Sequence, residues 1–121
     1  MAWDQIVIRL GIATVVGLLL GMDRELRAIS AGLRTHALVA LSSAAITVSA
    51  LDLQATGYPD SDPLRVVQGL AQAIGFIAAG IIFATRGQVK NVTTAANLWL
   101  AAALGIAAGA AQFRIVLVGF V

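Results

Sequence analysis

The densest group of residues able to do chemistry in this chain is Asp23-Arg24-Glu25, followed by Gly32-Leu33-Arg34-Thr35-His36. Its carboxylates can pair with Arg24, Arg27 or Arg34, and such a constellation can hold a cation, a phosphate or a partner's charged residue. The plain alternative is a solvated basic loop. A second set is uncharged. Gln68 and Gln72 stand four residues apart, and Asn97 follows Thr93 and Thr94 by about one turn. Groups of this kind inside a bilayer either bond one helix to another or line a polar path. Asp52, Asp60 and Asp62 offer hard oxygen atoms of the type Mg²⁺ accepts, although Asp60-Ser61-Asp62-Pro63 reads more simply as a solvated turn. His36 alone is no metal site, and no metal ligands are assigned.

Much is excluded. With no cysteine in the sequence, disulfides, thiol catalysis and thiolate metal sites are out. No phosphate-cradling GxxxxGK[ST] run, paired catalytic carboxylates or nucleophile–base pair is present, so neither an enzyme nor a bound cofactor is expected. A pI near 9.9 could point to nucleic acid, but the net charge is only +2 and no basic cluster sits on a soluble face. No nucleic-acid partner is expected.

These groups must be positioned by apolar helices. Of 121 residues, 60% are hydrophobic and 12% charged, where a soluble domain carries about 25% charged residues. Spanning a hydrocarbon layer about 30 Å thick takes roughly 20 helical residues. The expected spans are 5–22, 35–53, 66–85 and 93–112, with a partial fifth at 115–121 that is too short to cross. That last piece either belongs to a shortened chain or lies against the bundle. The first stretch lacks a basic start and a cleavage site and reads as a retained span. The expected architecture is therefore one all-α transmembrane bundle over residues 1–121. Membrane lipid is its solvent, and a homo-oligomer is one of its candidate states.

Connectors 23–34 and 86–91 hold Arg24, Arg27, Arg34, Arg86 and Lys90, five of the eight basic residues. Positive-inside logic makes those connectors cytoplasmic and places the N-terminus outside. Arg9, near the opening of the first span, is expected to snorkel to the headgroups. Small residues at four-residue spacing mark helix contacts: Gly17 and Gly21, then Ala71, Gly75 and Ala79, then Ala101, Gly105 and Gly109. A faint parallel repeat lays Gly17–Leu41 on Gly75–Leu100. Chance similarity between Ala/Leu-rich segments explains it equally well.

Three runs in this order resemble the N-terminal membrane domain of the MgtC/SapB family. They are Gly32-Leu-Arg-Thr-His-Ala-Leu-Val-Ala-Leu41, Ile74-Gly-Phe-Ile-Ala-Ala-Gly80 and Val92-Thr-Thr-Ala-Ala-Asn-Leu-Trp-Leu-Ala-Ala-Ala-Leu-Gly105. The stretch Gly17 to Glu25 is similar to that family's glycine-rich helix and acidic-Arg-Glu turn. The positions carried over are Asp23, Arg24, Glu25, Gly32, Arg34, Thr35, Gly75, Gly80, Thr93, Thr94 and Trp99. Asn91 stands where the family usually has Gly, and Asn97 where it usually has Thr. Many members add a complete fifth span and a cytoplasmic C-terminal domain; this chain begins the first and lacks the second.

The resemblance implies a bacterial inner-membrane protein, of a kind historically called an Mg²⁺-transport ATPase accessory protein. Such proteins are associated with adaptation to low Mg²⁺ and, in some pathogens, with survival inside macrophages. Regulation of the F-type ATP synthase is attributed to the family, with direct Mg²⁺ transport the weaker reading. The expected function is thus a regulatory or interaction protein acting through helix contacts with another membrane complex. The alternative is a small oligomeric transporter or channel for a cation or small solute, with Gln68, Gln72, Asn97 and Asp52 along its path. The candidate functional residues are Asp23, Arg24, Glu25, Arg34, Thr35, His36, Gln72, Thr93, Thr94 and Asn97.

Overall fold

The computed structural model describes residues 1–26, 31–84 and 89–121 and, within them, all side chains but those of Arg24, Glu25, Ala84, Val89 and Lys90. The described residues form five helices: α1 (Trp3–Leu26), α2 (Leu33–Thr56), α3 (Leu64–Ala84), α4 (Val89–Gly109) and α5 (Phe113–Phe120). The first four are long and apolar enough to cross a membrane. Helices α1 and α2 have 24 residues each. At 1.5 Å per residue they extend about 36 Å and overrun the hydrocarbon, so their ends enter the headgroup layer.

Lipid as solvent is visible in what faces out. Val7, Val15, Leu19, Leu38, Ile46, Phe76, Phe83 and Val118 are all exposed, a display of apolar surface that water would not tolerate. Trp3 and Tyr58, both exposed near one end of the bundle, suit the polar–apolar boundary there.

Helix α4 is the centre. It packs against α1, α2, α3 and α5, and α1 packs closely on α2. Its composition permits this: along Ala101-Ala-Ala-Leu-Gly-Ile-Ala-Ala-Gly109 most positions are buried and few side chains exceed a methyl. Helix α2 presents the line His36, Ala40, Ala44, Val48, and α4 the line Asn97, Ala101, Gly105, Gly109. The two run parallel, with Gly105 on Ala40 and Gly109 on Ala44. A Cβ added at Gly105 would meet the Ala40 carbonyl oxygen, and one at Gly109 would stand 2.7 Å from that of Ala44. Only glycine admits such an approach, which also suits Cα–H···O contacts between the helices. Gly17 and Gly21 serve the α1–α2 contact in the same way, against Ala37 and Leu33. Gly75 of α3 meets nothing. The expected contact stripe on α3 is thus not packed at its glycine, and the two hairpins differ at Gly17 and Gly75, the positions the repeat would equate.

The α4–α5 turn accounts for the last carbonyls of α4. Ala110 N donates to Ile106 O at 2.9 Å, Gln112 N to Ala107 O at 2.8 Å and Ala111 N to Ala108 O at 3.0 Å. Ala111 adopts a left-handed φ of 60° to make this possible, the conformation in which helices usually place glycine. The Gly109 carbonyl is taken by Arg9, whose Nη1 donates at 2.9 Å. Arg9 therefore turns into the bundle and caps α4, where a cation also suits the negative end of the helix dipole. It does not simply run out to the headgroups. Helix α5 lies against the bundle, with Val116 in a cluster with Ala13 and Leu104.

Candidate functional site

The sequence puts three helix segments at one end of the bundle: the C-terminal half of α1 and the N-terminal halves of α2 and α4. Their meeting point is polar. The ring of His36, fully buried, places Nδ1 2.9 Å from the Gly32 carbonyl oxygen. A carbonyl only accepts, so Nδ1 carries the proton and Nε2 presents its lone pair. The Asn97 amide nitrogen donates to that lone pair at 2.8 Å. It also lies 3.4 Å from the Leu20 carbonyl oxygen of α1. The orientation of the amide and the tautomer of the ring thus determine each other. One amide links three helices.

Thr94 is fully buried one turn before Asn97 on α4. Asn91, also buried, donates from Nδ2 to the Ile81 carbonyl oxygen at 2.8 Å and ties the start of α4 to the end of α3. A glycine at Asn91's position could form no such bond. Around this interior the rim is open: Arg34, Thr93 and Asp23 are exposed and Thr35 is half-buried. The side chains of Arg24 and Glu25 lie outside those described, as do Arg27 and Arg86. Of the candidate residues, the structure joins His36 directly to Asn97 and places Thr94, Arg34, Thr35, Thr93 and Asp23 around them at the same end.

Gln72 is not part of this assembly. It is exposed on α3, as is Gln68. Asp52 lies near the far end of α2, where the amino group of Met1 pairs with it. The path imagined through Gln68, Gln72, Asn97 and Asp52 therefore does not form within one chain. Two of its members face outward, one is consumed between helices and one sits at the opposite end. In the turn from α2 to α3, Asp62 accepts a hydrogen bond from Leu64 N at 3.0 Å, and Gln54 Nε2 donates to the Ser61 carbonyl oxygen at 2.9 Å. Asp62 is thus engaged in starting α3. Among the described residues no three His, Cys, Asp or Glu side chains cluster as metal ligands would.

The His36–Asn97 bond, the Asn91 clamp and the Arg9 cap were not anticipated from sequence. The first had only a partial signal: His36 and Asn97 each head an i, i+4 line of small residues, but with Gly105 on Ala40 the lines are offset by one turn, so Asn97 reaches His36 from the turn before Ala101. Asn91 and Arg9 depend on which carbonyls a neighbouring helix leaves free, and no spacing reports that.

The profile of the MgtC family matches residues 10–121. Protein MgtC of Salmonella typhimurium (strain LT2) is 38% identical over 108 residues, covering 89% of this chain and 45% of that protein. Protein SapB of Bacillus subtilis (strain 168) is 36% identical over 116 residues, covering 91% and 50%. YhiD of Escherichia coli (strain K12), provisionally named a magnesium transporter, is 31% identical over 121 residues, covering 97% and 56%. The chain spans about half the length of the curated relatives it matches. No solved structure matches it.

Proposed function

Because this chain belongs to the MgtC family of membrane proteins, we propose that it is a regulatory protein of the bacterial inner membrane, acting in adaptation to low Mg²⁺ by docking on another membrane complex. One observation carries the reading: the two asparagine amides at the inner end of α4 are spent on joining helices. Asn97 bonds His36 and Leu20, and Asn91 bonds Ile81. A carrier needs internal polar groups that can let go of one partner and take up an ion. The side chains exposed to a partner at that end are those of Asp23, Arg34 and Thr93. On the positive-inside argument that end is cytoplasmic, along with connectors 23–34 and 86–91. The F-type ATP synthase is the partner the family resemblance implies, and the chain does no catalysis of its own.

The test is growth in low Mg²⁺ of cells that depend on this protein. Arg34→Ala should impair growth while the protein still inserts at normal abundance. Because Arg34 is exposed, its loss leaves the packing intact; Thr94 is buried, so Thr94→Ala would mix packing with function. Unimpaired growth with Arg34→Ala and Thr93→Ala together would overturn the assignment of the rim.

A second reading is an oligomeric transporter, as the name given to YhiD suggests. The observation in its favour is the outward position of Gln68 and Gln72, which a path between subunits could use.

A further inference from the structure

Helix α3 is held by α4 and touches α2 lightly, leaving a full face turned to the surroundings. On that face one i, i+4 line runs Gln68, Gln72, Phe76, Gly80, and beside it Arg65, Gly69 and Ala73; all are exposed. Nothing lies within 4 Å of a Cβ built at Gly69 or Gly80. From the start of α3 at Leu64, Gln68 is about 6 Å and Gln72 about 12 Å along the helix. Gln72 is thus well inside a hydrocarbon layer about 30 Å thick. Neither amide makes a hydrogen bond among the described residues, and lipid tails supply none. Leaving an amide so placed is costly.

We propose that this face is the contact surface of a homodimer, in which α3 of a second copy packs along α3 of the first. The chemistry favours a copy of the same chain. A carboxamide carries two donors and an acceptor, so it is its own complement. Two chains of the same topology relate by a two-fold axis along the membrane normal, which sets the α3 helices side by side and parallel. Gln72 then faces Gln72 or Gln68 of the other copy, and each bond occurs twice. Gly69 and Gly80 leave room for a close crossing. Helix α5 does not cover this face: it runs along α4, with Val116 in a cluster with Ala13 of α1 and Leu104. The proposal is independent of the regulatory reading, and either can fail alone.

The natural sequence has no cysteine, so the full chain in lipid vesicles is a clean background for cross-linking. Ala73→Cys should give a disulfide-linked dimer on mild oxidation, and Val15→Cys, on the exposed face of α1, should not. Gln68→Leu with Gln72→Leu should weaken dimerisation about tenfold, read by photobleaching steps or energy transfer as protein is diluted in lipid. Both side chains point away from the fold, so the unfolding midpoint of the monomer should stay put. Single-step photobleaching at every protein-to-lipid ratio would overturn the proposal. So would equal cross-linking at the two cysteines, or a dimer whose affinity the leucines do not change. Capture of a different protein by Ala73→Cys, with no self-cross-link, would assign the face to that partner and also overturn it.

Discussion

At the scale of single residues, the polar side chains that join helices in this bundle bond backbone carbonyls and each other. The His36–Asn97 bond joins two side chains within the bundle, and its strength is bounded by what membrane interiors return. Interhelical hydrogen bonds there average about 0.6 kcal/mol and reach about 1.7 kcal/mol, because the separated helices also find partners. A double-mutant cycle of His36→Ala and Asn97→Ala should therefore give a coupling energy of about 1 kcal/mol, measured by reversible unfolding in mixed micelles. Strict additivity would mean that the pair meets but contributes nothing. Arg9 is the other residue whose role is local. Removing its guanidinium in Arg9→Leu strips the Gly109 carbonyl of its donor and should cost about 1–2 kcal/mol in the same assay. Arg9→Lys should recover part of this, since it restores the charge but not the reach of the planar head. The expected snorkelling of Arg9 and its actual capping role start from the same sequence position. The difference lies in the free carbonyl at the end of α4, which enters only once the helices are assembled.

At the scale of helices, close approach is the organising force. The α2–α4 contact brings Gly105 onto the Ala40 backbone, so Gly105→Ala must push the helices apart. It should destabilise by about 1–3 kcal/mol, whereas Gly75→Ala, which meets open space, should change little. If both substitutions behaved alike, the packing register described above would be in error. At the end of α4, Ala111 holds a left-handed conformation that disfavours a side chain by about 1–2 kcal/mol. Ala111→Gly should accordingly stabilise by about 0.5–1 kcal/mol after the entropy of glycine is deducted. An unchanged or lower unfolding midpoint would contradict that conformation. This scale was the most legible from sequence. The four spans, the Gly17/Gly21 contact and the Ala101–Gly105–Gly109 contact follow directly from hydropathy and small-residue spacing. The α3 stripe is not packed at Gly75, because spacing shows which face can pack closely and not how near a neighbour comes.

At the scale of the whole molecule, the sequence carried the class of protein and its membership of the MgtC family. Asp23, Arg34, Thr35, His36, Thr93, Thr94 and Asn97 gather at one end because the end of α1 and the starts of α2 and α4 meet there. Gln72 did not join them because it lies about 12 Å along α3 from the opposite end, on a face turned outward. Inside each chain Asn91 and Asn97 bond one helix to another, and Arg34 is exposed at the same end. Such a molecule is built to hold a shape and present it.

That account is tested most directly by Mg²⁺ flux in vesicles containing the full chain, followed with an entrapped magnesium indicator under an inward gradient and an imposed potential. The predicted entry rate is that of protein-free vesicles at every protein density. A rate that rises with protein density and falls in Gln72→Leu would contradict it and make the chain a conduit.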